Sequence, residues 1–202
     1  MFAFVQDGSI TKYFSGNRGF TLNGNQYPRS VFTLWTKSER EAIGIYEVVW
    51  DTTNKKNEEW YVNANPSYSF GNGKVTASYG SPTAKAHADS LYTAQDESDG
   101  KGTEGEVKSE GLKTKLIASL KLRASVILQS TDWYIIRKAD ANTAIPSAIT
   151  NHRAAVRTKC AEMETAITNA SDTPALETLY TYTEQEDGSV TRPLGELPTL
   201  ES

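Results

Sequence analysis

The sequence has few of the residues on which covalent or metal chemistry usually depends, with a single cysteine, Cys160, and two histidines among 202 residues. One cysteine excludes an intramolecular disulfide framework and is typical of a reducing cytoplasm. No apolar run approaches the ~18 residues needed to cross a bilayer, so no membrane span is expected. The opening residues carry neither a basic stretch nor an apolar segment of signal-peptide length, so secretion by that route is not expected.

Motifs for metal binding and catalysis are also missing from the sequence. It contains no Cys-x-x-Cys, His-Glu-x-x-His or calcium-loop pattern, so we expect neither a metal site nor a cofactor. His152 and Cys160 lie on one expected helix, where eight residues correspond to ~12 Å of rise, too far for a nucleophile–base pair. We therefore expect a protein that is not an enzyme.

Charge is low in total but uneven along the chain. The formal net charge of -4 argues against a dedicated nucleic-acid binder, which would be strongly basic. Residues 111–170 carry nine Lys and Arg against four Asp and Glu, whereas residues 91–110 and 171–202 are acidic. Two interpretations stay open: the acidic segments lie against the basic helices of the same chain, or the basic block binds an acidic partner.

Aromatic residues and turn signals concentrate in residues 1–80. Three dipeptides there, Asp7-Gly8, Asn23-Gly24 and Asn72-Gly73, suit type I′ hairpin turns. Thr36-Lys-Ser-Glu39 has capping-box spacing and predicts a short helix. The first part of the chain is therefore expected to be rich in β-strands.

The tryptophans of this part, Trp35, Trp50 and Trp60, allow two interpretations. As core residues they would supply the large buried area that a small β module needs. Together with Tyr61 they would instead form a platform on which sugar rings stack. We predict that all three are structural anchors of the core.

Two amphipathic helices are predicted in the basic block, because apolar residues recur there every three or four positions. These residues are Leu112, Leu116, Leu120 and Ala124 in the first helix, and Ile149, Val156, Cys160, Met163 and Ile167 in the second. Their apolar faces are expected to pack together as an antiparallel hairpin, with Trp133 and Tyr134 anchoring the connection. Thr173-Pro174 predicts the start of a short third helix.

The predicted fold class is α+β, with a small N-terminal antiparallel β module followed by a C-terminal antiparallel helical hairpin and a short third helix. The expected parts are a β-rich module at 1–80, a Gly/Ser/Asp-rich linker at 81–110, a helical hairpin domain at 111–182 and an extended acidic tail at 183–202.

The helical half carries two further motifs. Thr131-Asp132-Trp133 follows the first amphipathic helix, and Arg153 and Arg157 lie in the second. With these motifs, residues 111–160 resemble the C-terminal regions of tailed-bacteriophage tail accessory proteins, which are described as tail fibre assembly or tail assembly chaperone proteins. The N-terminal opening, from Phe4 to Tyr13, is similar to the same proteins.

The resemblance implies a non-enzymatic protein that assists assembly of the tail fibre or baseplate, or stays there as a structural adaptor. The implied partner is a phage tail fibre or baseplate protein. The implied location is the virion tail, or the host cytoplasm during assembly. The acidic segments are longer than in the simplest family pattern, so a transient chaperone and a permanent virion component both stay open. The alternative function is a carbohydrate-recognising accessory module of a host-attachment apparatus.

The resemblance defines no residue set for partner binding, so the candidates come from charge and spacing. Arg153 and Arg157 lie four residues apart and should point the same way from their helix. Arg137 and Lys121 belong to the same basic block and complete the candidate partner-binding set. The alternative for these side chains is a solvated, ion-paired helix face. An exposed strand edge in the β module is a second candidate adhesive surface.

Overall fold

The computed structural model describes residues 1–200 and has a mixed α+β architecture. It divides into two compact units, one formed by residues 1–83 and the other beginning at residue 84. The predicted fold class is confirmed at this level, since a strand-rich sheet precedes the long helices. Within residues 1–200, no helix is both long enough and apolar enough to cross a membrane.

Short strands dominate the first unit. Its elements are β1 (Phe2–Gln6), β2 (Ser9–Phe14), β3 (Phe20–Leu22), β4 (Asn25–Tyr27), a 3-10 helix (Arg29–Phe32), α1 (Lys37–Ala42), β5 (Ile45–Asp51), β6 (Tyr61–Val62), β7 (Ser67–Gly71) and β8 (Lys74–Ser78), and β9 (Thr83–Ala84) lies at its boundary. Five of these strands form one sheet in the order β2-β1-β5-β8-β7.

The sheet differs from the expected antiparallel module at one pair of strands. β1 pairs antiparallel with β2 and β5, and β7 with β8, but β5 and β8 are parallel. A parallel pair needs a crossover connection, and residues 52–73 supply it. The alternation of apolar and polar residues in a strand indicates which face of the strand is buried. It does not indicate the neighbouring strands in the sheet, so the parallel pairing of β5 with β8 could not be predicted from the sequence.

The predicted turns and cap of this unit are confirmed. Asp7 and Gly8 have φ angles of 51° and 76°, and the other two dipeptides also have positive φ at both positions. Thr36 and Glu39 form a capping box, in which the Glu39 amide donates to Thr36 Oγ1 at 3.3 Å and the Thr36 amide donates to Glu39 Oε2 at 2.7 Å.

Strand β1 is buried on both faces of the sheet. Ala3 and Val5 belong to one apolar cluster with Val48, whereas Phe4 belongs to a second cluster with Ile45. Successive side chains of a strand point to opposite faces, so β1 connects two small cores. The predicted aromatic contribution to the core comes mainly from phenylalanines, at Phe4 and Phe32 and, partly buried, at Phe2, Phe14 and Phe20.

The second unit contains the long helices. Its elements are β10 (Ser90–Leu91), α2 (Ala94–Ser98), β11 (Val107–Ser109), α3 (Leu112–Gln129), α4 (Asp132–Ala141), α5 (Ser147–Asn169), α6 (Thr173–Tyr180), β12 (Thr183–Glu184) and β13 (Val190–Thr191). The connection expected between the two amphipathic helices is thus largely a helix itself. Asp132 lies in the first turn of α4, where a carboxylate is favourable, and Asn142 ends it with φ 50°.

Residues 84–110 are ordered against α3, although the sequence suggested a linker. Asp89 Oδ1 accepts the Gly111 amide and the Thr114 hydroxyl, both at 2.7 Å. The Leu112 amide donates to the Ala86 carbonyl at 2.9 Å. The segment therefore satisfies amide groups at the N-terminus of α3 that would otherwise have no intrahelical partner.

Within this segment, the Asp96 carboxylate is held by several hydrogen bonds. Lys108 Nζ donates to its two oxygens at 2.9 and 3.1 Å, and Thr93 bonds to it through its amide and its hydroxyl. The Lys108 bond is the main reason that the pKa of Asp96 falls to about 2. A carboxyl group stabilises the fold when its pKa is lower in the folded protein than in the unfolded chain, where it is about 3.9. The stabilisation is complete at pH values above about 3.9 and is lost as the pH falls towards 2.

We therefore expect the Asp96→Asn variant to be less stable than the wild type at pH 5, and the difference to shrink steadily between pH 4 and pH 2. Urea unfolding of both proteins across this range measures it. A difference that stays constant with pH would show that the Asp96 charge makes no contribution.

The C-terminal segment is also packed, although an extended tail was expected. Leu194 and Leu197 are buried, and the Leu194 amide donates to the Leu179 carbonyl at 3.0 Å. Glu196 forms ion pairs with Arg192 at 2.8 Å and with Arg123 of α3 at 3.4 Å. The Arg123 contact is of the kind expected if acidic segments lie against the basic helices of the same chain.

Candidate partner-binding site

Helices α3 and α5 contact each other along their lengths. Lys113 Nζ, near the start of α3, donates to the Thr168 carbonyl near the end of α5 at 2.7 Å. In the middle, Lys121 forms an ion pair with Glu164 at 2.7 Å. These two helices carry three of the four candidate partner-binding residues, Lys121, Arg153 and Arg157, and α4 carries the fourth, Arg137.

Arg153 is an interior residue, which corrects its assignment to a partner-binding surface. Only 7% of its surface is exposed. Its guanidinium donates to the Leu128 carbonyl at 2.7 Å and to Thr131 Oγ1 at 2.6 Å, and forms an ion pair with Asp132 Oδ1 at 2.8 Å. One arginine therefore connects α5 to the end of α3 and the start of α4.

The motif residues Thr131, Asp132 and Arg153 thus meet at one point of the structure. Thr131 is buried and its hydroxyl donates to the Leu128 carbonyl at 2.9 Å, so the guanidinium of Arg153 adds a charged donor to both of these oxygens. The sequence carried a signal for this role. Arg153 falls four residues after Ile149 and three before Val156, which places it on the buried face of α5.

The other three candidate residues, Lys121, Arg137 and Arg157, differ in the groups that contact their charged ends. Lys121 is neutralised by Glu164. Arg137 lies over the rings of Trp133 and Tyr134, 4.8 and 5.3 Å from their centroids. Its Nε is buried and has no hydrogen-bond partner within the described part of the chain.

Arg157 is exposed whereas Arg153 is buried, although the two arginines lie on the same side of α5, as expected from their spacing. Its guanidinium donates to the Arg153 carbonyl at 3.5 Å, and within residues 1–200 it forms no ion pair with a carboxylate. Two of the four candidates, Arg137 and Arg157, therefore form no ion pair with a carboxylate of the described residues, and Arg137 is held instead over two aromatic rings.

An open groove of about 480 Å³ lies between α3 and α5 and is lined also by Asp132 at the start of α4. Residues of α3 and α5 line it at intervals of three or four positions, so each helix contributes one face. The lining residues are Lys121, Ala124, Ser125, Leu128, Gln129, Asp132, Arg153, Arg157, Cys160, Ala161 and Glu164. The groove brings together three of the four candidate residues and leaves Arg137 outside.

Cys160 lines this groove and is half-buried. Burial is the main cause that raises the pKa of its thiol, and the nearby Glu164 carboxylate raises it further. A raised pKa lowers the fraction of reactive thiolate at neutral pH. His152 is buried in the same helix.

The candidate anchors divide into buried and exposed residues. Trp60 is buried, and Trp35 is half-buried with its ring edge-on to Tyr27. Trp50 and Trp133 expose 45% and 50% of their surface, so neither is a core residue. Tyr134 is half-buried, and its ring centroid is 3.7 Å from that of Trp133.

Sequence reasoning missed a row of exposed or half-buried aromatic rings in the first unit. Trp50 contacts Tyr68 and Tyr79 with ring centroids 6.3 and 6.0 Å apart, and Tyr68 contacts Tyr13 at 4.9 Å. These residues lie on or beside four strands, β2, β5, β7 and β8. Their grouping depends on strand order, for which the sequence contains no local signal.

Within residues 1–200, no three or more His, Cys, Asp and Glu side chains come together in a group that could hold a metal ion. Comparison of the chain with protein-family models, with curated proteins and with solved structures gives no significant match.

Proposed function

We propose that the chain is a non-enzymatic phage tail protein that assists assembly of the tail fibre or baseplate, or remains there as a structural adaptor. The proposal combines the sequence resemblance of residues 111–160 with the surface of the helices that these residues form. It needs an adhesive surface and no reactive group.

The observation that carries the proposal is the exposure of large apolar side chains on α3 and α4. Leu122 and Val126, one turn apart on α3, expose 68% and 58% of their surface. Trp133 and Ile136, three residues apart on α4, expose 50% and 68%. Apolar surface of this kind is costly in water and is typical of a protein interface.

The proposed binding half is an antiparallel hairpin of α3 and α5, with α6 as the short third helix. The contacts Lys113–Thr168 and Arg153–Leu128 support this arrangement, because they join opposite ends of the two helices. The Arg153 contacts with Thr131 and Asp132 would then fix α4 beside the hairpin and hold its apolar side chains outward.

The experiment that tests this function is quantitative mass spectrometry of purified virions and of the unassembled fraction of the same lysate, for the phage that encodes the chain. Several copies per virion would identify a permanent tail component. Presence only in the unassembled fraction, bound to a fibre or baseplate protein, would identify a transient chaperone. Absence from both fractions would contradict the proposal.

The aromatic row of the first unit favours a second candidate function, recognition of a carbohydrate on the host surface. Exposed aromatic faces offer apolar area that a sugar ring covers, and Trp50 lies between Tyr68 and Tyr79 in this row. This function would make the chain an accessory module of a host-attachment apparatus.

If the row binds carbohydrate, host polysaccharide is expected to quench tryptophan fluorescence of the wild type in a saturable titration. Trp50→Ala should abolish this quenching, and the matched variant Trp133→Ala should retain it, because Trp133 lies in the other unit. No quenching of the wild type, or equal loss in both variants, would exclude this candidate.

A further inference from the structure

The groove between α3 and α5 has one positive charge that no carboxylate of residues 1–200 balances. Lys121 is paired with Glu164, and Arg153 with Asp132. Arg157, the remaining lining cation, forms no such pair with the described residues. A partner that places a carboxylate beside Arg157 would complete the charge balance, and a planar guanidinium can bind a carboxylate through two parallel bonds.

The shape of the groove favours a helix as its occupant. Its lining on α3 runs from Lys121 to Gln129, which corresponds to ~12 Å along the axis, or about two turns. Ala124, Cys160 and Ala161 present small side chains there. Small side chains let a third helix approach closely, because the distance between helix axes is set by the side chains at the contact.

From charge and shape together, we propose that the groove receives an amphipathic helix of the tail protein to which the chain binds. The helix places apolar side chains against Ala124, Leu128 and Ala161, and an Asp or Glu of the same helix pairs with Arg157. This is the helix-in-groove mode of recognition, in which residues spaced three or four apart anchor the ligand. The inference rests on the proposed function and adds to it a second contact site, because the groove lining includes none of the exposed apolar side chains of α3 and α4 named above.

Two substitutions test the two halves of this inference. Arg157→Glu reverses the uncompensated charge, and we expect it to weaken binding of the purified fibre or baseplate partner by about tenfold or more. Its matched control is Lys138→Glu, which makes the same charge change at an exposed position of α4 outside the groove lining. The control should bind within about twofold of the wild type.

Ala161→Phe places a large side chain in the groove and is expected to block the partner helix. Ala155→Phe makes the same change at an exposed position of α5 that does not line the groove, so it should bind normally. Circular dichroism at 222 nm shows that each variant is folded before its affinity is measured. A loss of binding limited to Ala161→Phe supports occupation of the groove.

Cys160 supplies an independent measurement, because it is the sole cysteine and lines the groove. We expect a thiol-reactive fluorophore to label it slowly in the free protein and at least fivefold more slowly in the complex with the partner. Protection that grows with the concentration of the chain alone would show that a second copy occupies the groove and would overturn the inference.

The outcomes separate this inference from the function on which it rests. If the wild type binds no tail protein, the proposed function and the inference both fail. If the wild type binds but Arg157→Glu and Ala161→Phe bind equally well, and Cys160 is not protected, the function stands and the groove is not the site.

Discussion

Replacing Arg153 with Ala is expected to lower the free energy of unfolding of the helical unit by about 2–4 kcal/mol. The Leu128 carbonyl and the buried Thr131 hydroxyl would each lose a charged donor. Asp132 would also lose its ion-pair partner, but its side chain is 47% exposed and water compensates for part of that loss. Most of the effect therefore comes from the two bonds made inside the protein.

Arg157→Ala is the matched control, because it removes the same side chain one turn later from an exposed position. It should change the free energy of unfolding by less than about 0.5 kcal/mol. Urea unfolding followed by circular dichroism at 222 nm measures both variants, since the long helices all lie in the second unit. Equal effects of the two substitutions would contradict the internal role of Arg153.

Local features of this fold could be predicted from the sequence because their causes lie within a few residues. The Asn23-Gly24 turn requires positive φ at both positions, which these residue types tolerate. The Thr36–Glu39 capping box needs side chains three residues apart. The apolar faces of α3 and α5 follow from the helical period alone.

The helical period places Arg153 among the buried residues of α5, but the partners that it binds there could be identified only in the folded chain. The spacing of Arg153 and Arg157, four residues apart, gives no indication that their environments differ. Their environments differ because Leu128 and Asp132 reach one of them and not the other. Those contacts depend on where α3 ends relative to α5.

Trp50 illustrates a similar limit for the core of the first unit. Strand β5 pairs with β1 through Ile45, Tyr46 and Glu47, whereas its last four residues, which include Trp50, pair with β8. Trp50 thus lies beyond the part of β5 that is paired with β1, and its ring is partly exposed. Aromatic content predicts that a core exists but not which ring enters it.

Residues 84–110 look like a linker in the sequence because they contain few apolar residues and many Gly, Ser and Asp. What orders them is polar: Asp89 accepts two bonds from the start of α3, and Thr173 Oγ1 of α6 donates to the Lys85 carbonyl at 2.6 Å. Bonds of this kind leave no periodic pattern in a sequence. The order of this segment is therefore best tested by a substitution at a residue against which it packs.

Gly111→Ala is expected to lower the free energy of unfolding of the second unit by about 3 kcal/mol, although the substitution adds one methyl group. The new Cβ would clash with the carbonyl carbon and oxygen of Ala88 and would lie 2.9 Å from its Cα. These are backbone atoms, so the segment from Ala86 to Asp89 would have to move as a whole. Its bonds to the Gly111 and Leu112 amides would weaken, and alanine is also a poorer N-cap than glycine.

Gly71→Ala serves as the control for this substitution, because a Cβ at Gly71 meets no atom within 4 Å and the backbone φ there is not positive. It should change stability by less than about 1 kcal/mol, measured by urea unfolding followed through tryptophan fluorescence, which reports mainly on the first unit because three of the four tryptophans lie there. Circular dichroism at 222 nm follows Gly111→Ala in the second. If residues 84–110 were a free linker, Ala88 would move aside and Gly111→Ala would cost as little as the control. A large loss limited to Gly111→Ala therefore shows that this segment is part of the folded unit and holds the N-terminus of α3, the first wall of the proposed binding groove.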